Sequence, residues 1–86
     1  MPKLIVTHEV DDVAPWLSSP KRSEVFGSVA RNISTFVDPS RPNHVGLTMD
    51  VADMAAFDAV LKSEAGAEAM TYDGVHPDTL AFYVEG

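Results

Sequence analysis

The sequence has no cysteine, so neither a disulfide nor a thiolate metal site can stabilise it. It is also poor in positive charge, with six Lys and Arg against 13 Asp and Glu and a net charge of −7. The basic residues are dispersed, which argues against nucleic acid or an anionic membrane surface as a partner. No apolar run approaches the roughly 20 residues that span a bilayer.

Familiar catalytic and cofactor motifs are absent as well. There is no G-x-S-x-G nucleophile motif, and the glycine-containing stretches match neither phosphate-binding fingerprint. No cofactor is therefore implied.

The amino-terminal residues lack the pattern of a targeting leader, and we expect a soluble, cytoplasmic protein.

The 86 residues, 45% of them hydrophobic, fit one domain spanning residues 1–86. A chain this short buries only about 60–65% of its unfolded surface, so its core is marginal. Self-association would bury apolar surface that one copy cannot cover.

Alternating apolar residues predict four strands, at residues 3–10, 29–37, 44–51 and 79–85. The first helical segment follows Asp11 and Asp12, either of which can cap it. Pro20 breaks that segment, which predicts two short pieces or one bent helix. Asp53 is expected to cap the second helical region, which continues to Gly74 with a weakened stretch at residues 63–66.

The resulting order, βαββαβ, predicts an α+β, ferredoxin-like fold. We expect a four-stranded antiparallel sheet in the order 4-1-3-2, with two helices on one face. The other face would be bare, and a second copy of the chain is the partner that it favours.

Three sets of residues resemble the dimeric α+β barrel superfamily, which includes the antibiotic-biosynthesis monooxygenase-like proteins. They are the pattern H-x-V-x-D-x-x-x-W at His8, Val10, Asp12 and Trp16, the capped helix at Asp53 and Phe57, and the closing segment from Ser63 to Glu85. The resemblance covers nearly the whole chain. It implies two subunits paired sheet to sheet, each with a pocket between its sheet and helices.

The same resemblance places His8, Trp16, Phe26 and Met49 near that pocket. His8 stands where the strand alternation calls for an apolar residue, and two interpretations stay open. An imidazole there could be a general base, because its pKa moves easily through neutrality. It could instead be structural, bonded to a backbone carbonyl or to an acid such as Asp12, since buried polar groups usually have partners without having a catalytic role. Trp16 could be a core anchor or a pocket wall.

A metal site is a weak candidate. His8 and His76 could meet at one end of the sheet with Asp11 or Asp12, which would give two histidines and one carboxylate. With strand three taken as parallel to strand one, His44 would lie at the opposite end. No H-x-H or H-x-x-x-H spacing supports a site, and we predict no metal.

The leading hypothesis is a homodimeric α+β barrel protein that binds a small apolar or aromatic molecule. Catalysis, if present, would be cofactor-independent oxygenation or isomerisation with His8 as base. The alternative is a non-catalytic structural or interaction module whose pocket is filled by its own side chains.

Overall fold

The computed structural model describes residues 3–86. Its four strands are β1 (Lys3–Glu9), β2 (Arg31–Val37), β3 (His44–Asp50) and β4 (Ala81–Val84). Its four α-helices are α1 (Val13–Ser18), α2 (Lys21–Phe26), α3 (Met54–Leu61) and α4 (Glu64–Asp73). A 3₁₀ turn, Pro77–Thr79, precedes β4.

The sheet order is β2-β3-β1-β4, and every neighbouring pair is antiparallel. This is the predicted order 4-1-3-2, so the ferredoxin-like fold is confirmed. One expectation about the sheet is wrong. Because β1 and β3 run antiparallel, His44 pairs with Glu9, at the same end of the sheet as His8.

Both helical regions consist of two short helices. The first is interrupted at Ser19 and Pro20, as predicted, and the Ser19 hydroxyl accepts a hydrogen bond of 3.2 Å from Lys21 N–H. The second is interrupted at Lys62 and Ser63. Helices of this length are marginal in isolation, so packing on the sheet must hold them.

Two acids that were expected to cap helices behave differently. The Asp53 carboxylate accepts hydrogen bonds from Ala55 and Ala56 N–H, at 3.0 and 3.2 Å, and caps α3 as predicted. Asp12 precedes α1 but makes no side-chain cap bond.

The ends of β2 and β4 differ from the prediction. The backbone N–H groups of Val29 and Ala30 donate hydrogen bonds to the Phe26 carbonyl at the end of α2. Asn32 has a positive φ of 54°, and the register of β2 against β3 shifts between Arg31 and Ser34. Thr79 belongs to the 3₁₀ turn rather than to β4. Local hydrogen bonds at the helix exit and in the turn replace strand pairing at both places.

The core lies between the helices and one face of the sheet. Its buried members are Leu4, Val6, Val10, Trp16, Ala30, Val45, Leu47, Met49, Val51 and Phe57. The β1 side chains alternate between buried and more exposed, as the sequence pattern predicts. Within residues 3–86, no helix is both long and apolar enough to cross a bilayer.

The opposite side of the sheet, here called the open face, carries no helix. Strand alternation and register place on it Ile5, Thr7, Ser34, Phe36, Gly46, Thr48, Ala81 and Tyr83. Its large apolar side chains are solvent-exposed: Ile5 at 42%, Phe36 at 55% and Tyr83 at 59%.

Candidate functional site

A pocket lies between the sheet and the helices, with contributions from every strand except β2 and from all four helices. It is lined by Val6, His8, Trp16, Arg22, Phe26, Leu47, Met49, Phe57, Leu61, Ala69, Met70, Asp73, Val75, Leu80 and Phe82. Phe82, on the edge strand, is 41% exposed and marks a side on which the pocket reaches solvent. An apolar lining with a few polar groups is typical of small-molecule sites.

The pocket is narrow. The space between its side chains is about 540 Å³ when its open mouth is counted, but only about 70 Å³ can be reached by the centre of a water molecule. The smaller figure leaves out space that lies too close to the surrounding atoms to hold the centre of a water molecule. A ring-containing ligand would therefore extend through the mouth or displace flexible side chains such as Met70.

Trp16 forms one wall and is the only fully buried residue of α1, at 1% exposure. Arg22 lies over its ring, with the guanidinium carbon 4.7 Å from the ring centroid, and donates a hydrogen bond of 2.8 Å to the Trp16 carbonyl. A guanidinium stacked on an indole forms a favourable cation–π contact. Arg22 thus closes the gap between α1 and α2 and places a positive charge at the pocket wall.

His8 enters the pocket from β1 and is 3% exposed. Its ring meets the Trp16 ring edge-on, with centroids 5.6 Å apart. Its Nδ1 lies 3.4 Å from the Glu9 carbonyl oxygen, longer than an ordinary hydrogen bond. Of the two structural partners that the sequence suggested, the structure provides the backbone carbonyl, and only at this distance.

Burial lowers the pKa of His8 from its usual 6.5, because a charged imidazole is poorly solvated there. The Glu9 carbonyl opposes this shift, and the positive charge of Arg22 adds to it. The lowered pKa favours the neutral imidazole, which is the form in which a general base accepts a proton.

Asp73 is the third polar group of the pocket and is 8% exposed. It is the last residue of α4, and Gly74 follows in the left-handed conformation with φ 71°. Its Oδ1 is buried and has no hydrogen-bond partner among residues 3–86. Its negative charge nevertheless acts on both His8 and Arg22.

The structure brings His8, Trp16, Phe26 and Met49 together at the pocket, as expected from the resemblance. Their roles in catalysis or binding stay predictions. Sequence reasoning missed Arg22 and Asp73. An acid at a helix C-terminus is disfavoured by the helix dipole, and this was the signal that could have singled out Asp73.

The residues of the weak metal candidate do not converge. His76 Nε2 lies 2.5 Å from Asp11 Oδ1 near the surface, whereas His8 faces Trp16 in the pocket. His44, at the same end of the sheet, lies 3.6 Å from the Asp38 carboxylate. In the described part of the chain, no group of three His, Cys, Asp or Glu residues could hold a metal ion.

Comparison with known proteins gives structural relatives only. No protein-family model matches the chain, and no curated protein matches it. Among solved structures, an antibiotic biosynthesis monooxygenase has 17% identity and a TM-score of 0.65, covering 100% of this chain and 97% of its own. SnoaB, a cofactor-independent oxygenase from Streptomyces nogalater, has 13% identity and a TM-score of 0.69, covering 99% and 90%. HapK from Hahella chejuensis has 15% identity and a TM-score of 0.66, covering 100% and 91%.

Likeness at such identities shows the fold. The chain has the ferredoxin-like fold of antibiotic biosynthesis monooxygenase-like structures over its whole length, and the resemblance noted in the sequence is confirmed at that level.

Proposed function

We propose that this chain is a homodimeric α+β barrel protein that binds a small, largely apolar or aromatic molecule in the pocket between its sheet and helices. The observation that carries the proposal is the pocket itself. Its lining is mostly aliphatic and aromatic, yet three polar side chains, His8, Arg22 and Asp73, converge on it from different elements. If this space were only an imperfectly packed part of the core, three polar side chains in its wall would cost stability and serve no purpose.

His8 is the residue through which catalysis would proceed. A neutral imidazole in an apolar pocket can take a proton from an acidic C–H or O–H of the bound molecule. Arg22 would stabilise the resulting anion. Returning the proton at another atom gives isomerisation. Oxygenation would use dioxygen as the oxidant and the bound molecule as the reductant: a CH2 carbon loses two hydrogens and gains one oxygen atom to become a carbonyl, and the other oxygen atom leaves as water. A cofactor-independent oxygenase among the structural relatives supports the choice of this reaction class.

The exposed apolar side chains of the open face support the proposal of a dimer. Its exposed Ile5, Phe36 and Tyr83 surround smaller residues, Thr7 and Gly46, so the surface is apolar without being bulky at its centre. A second copy that packed against it would bury this apolar area.

Native mass spectrometry of the untagged protein tests both parts. We expect a dimer that carries additional small-molecule mass. A clean monomer would contradict the dimer, and the dimer can also be tested by substitution. Thr7→Arg, in the centre of the open face, should give a monomer, whereas Thr71→Arg, on the exposed surface of α4, should leave the dimer intact.

One observation favours the rival, a non-catalytic module with no open pocket: the centre of a water molecule can reach only about 70 Å³ of the space between the lining side chains. The two functions differ in their response to ligands. A filled pocket would give no saturable binding of small aromatic molecules at millimolar concentration, whereas the proposed function requires it.

A further inference from the structure

Asp73 occupies a position where a carboxylate destabilises the protein. It is 92% buried, as its exposure of 8% implies, and its Oδ1 has no hydrogen-bond partner within residues 3–86. Burial of an unpaired polar group is costly, and more so for a charge. The carboxylate also ends α4, where the partial negative charge of the helix terminus repels it.

The nearby cation compensates for this only in part. Arg22 acts on Asp73 through its charge, but its guanidinium donates to the Trp16 carbonyl and stacks on the Trp16 ring. It leaves Asp73 Oδ1 without a donor. An unused acceptor therefore lies buried within the wall of an apolar pocket.

We infer that Asp73 is the specificity-determining acceptor of the pocket, and that it selects ligands presenting an N–H or O–H donor beside an apolar ring. This inference rests on the proposed function, because it requires a molecule in the pocket. Its physical basis is an asymmetry. A ligand whose donor reaches this oxygen, by displacing the side chains that cover it, satisfies the buried acceptor, whereas an isostere without a donor leaves it unsatisfied.

A pair of ring compounds isolates this effect. Indole and benzofuran have the same two-ring outline, but the ring N–H of indole is replaced in benzofuran by an oxygen that cannot donate. A hydrogen bond to a buried charged acceptor should favour indole by about ten- to a hundredfold in Kd.

The experiment is an NMR titration of the full chain with each compound, in the wild type and in three variants. Asp73→Leu removes the acceptor while keeping a similar outline, and Asp73→Asn keeps a weaker, uncharged acceptor. Asp12→Asn is the matched control, because Asp12 is exposed and does not line the pocket. We expect the preference for indole to be large in the wild type and the control, smaller in Asp73→Asn and absent in Asp73→Leu.

Thermal unfolding without ligand gives a second readout. Because the unpaired carboxylate costs stability, Asp73→Leu should melt at or above the wild-type temperature. A marked fall in Tm together with an unchanged indole preference would show that Asp73 is structural and would overturn the inference. Equal binding of both compounds to the wild type would overturn the inference but keep the pocket. Binding of neither compound to any variant would overturn the proposed function and the inference with it.

Discussion

Replacing His8 by two different residues separates its packing from its polar chemistry. His8→Ala removes a ring that is 3% exposed and that meets the Trp16 ring edge at 5.6 Å. The loss combines an aromatic contact of about 0.5–1.5 kcal/mol with the cost of a cavity. We expect a fall of about 2–3 kcal/mol in the free energy of unfolding, by analogy with other large-to-small core substitutions.

His8→Leu refills most of that volume without any polar atom. Within the part of the chain that the structure describes, the only hydrogen bond that it removes is the 3.4 Å contact with the Glu9 carbonyl, which is too long to contribute much. The substitution also removes the cost of burying a polar imidazole, and this desolvation is what lowers the pKa of His8. The free energy of unfolding should therefore stay within about 1 kcal/mol of the wild type at pH 7.5, in line with tolerated core substitutions.

Urea denaturation at pH 7.5 and at pH 5, at one fixed protein concentration, measures both variants. Because the folded-state pKa of His8 lies below 6.5, its contribution to stability is full above pH 6.5 and declines as the pH falls below it. His8→Leu should thus be relatively more stable, compared with the wild type, at pH 5 than at pH 7.5.

One result would contradict the interpretation of His8 as a base. If His8→Leu destabilised the protein as much as His8→Ala, the polar atoms of the imidazole would be structural, and its interpretation as a base would lose its support. If His8→Leu kept stability and abolished ligand-dependent chemistry, the role of His8 would lie in the pocket.

Three further predictions concern the scaffold. His76→Ala should cost more stability at pH 5.5 than at pH 8.5 in urea denaturation, because the hydrogen bond to Asp11 raises the pKa of His76 and this contribution is lost as the pH rises through that value. Asp53→Ala should lower the free energy of unfolding by about 1 kcal/mol, whereas Asp12→Ala, which removes no cap bond, should leave it unchanged by the same measurement. Gly66→Ala should lower Tm by several degrees, since a Cβ there would lie 2.3 Å from a backbone carbonyl oxygen of α3; an unaltered Tm would contradict the close packing of the two helices.

The fold was predictable because its signals are local. Strand alternation identified the buried face of β1, Pro20 predicted the break between the first two helices, and Asp53 predicted the start of α3. Chain order and the handedness of crossovers then left few topologies. The ends of β2 and β4 were missed because hydrogen bonds in the adjoining turns compete with strand pairing.

The site was predictable only in part because its polar groups are far apart in the sequence. His8 was visible as a polar residue in an apolar alternation. Arg22 and Asp73 lie in segments that are otherwise ordinary for exposed helices, and only the packing of α2 and α4 on the sheet brings them to the same pocket. The position of His44 followed from the predicted topology, because strands one and three are neighbours in an antiparallel sheet; taking these two strands as parallel was the error.

The short helices connect the pocket to the stability of the fold. The helices α1 and α2 contain six residues each, and Trp16 is their only fully buried side chain. Helices this short do not hold their conformation alone. The burial of Trp16 therefore stabilises the first helical region, and the same side chain forms one wall of the pocket.

A molecule that filled the pocket would contact Trp16, Arg22 and Phe26 together and would stabilise the helices that form its own binding site. Its effect on Tm would follow the ratio of ligand concentration to Kd. The empty protein bears the cost of the unpaired Asp73 and of a narrow, incompletely filled core, and a ligand with a donor would relieve both at once. If the proposed function holds, this coupling would explain how a chain with a marginal core retains polar groups in its interior, because their cost to stability would become selectivity when a ligand binds.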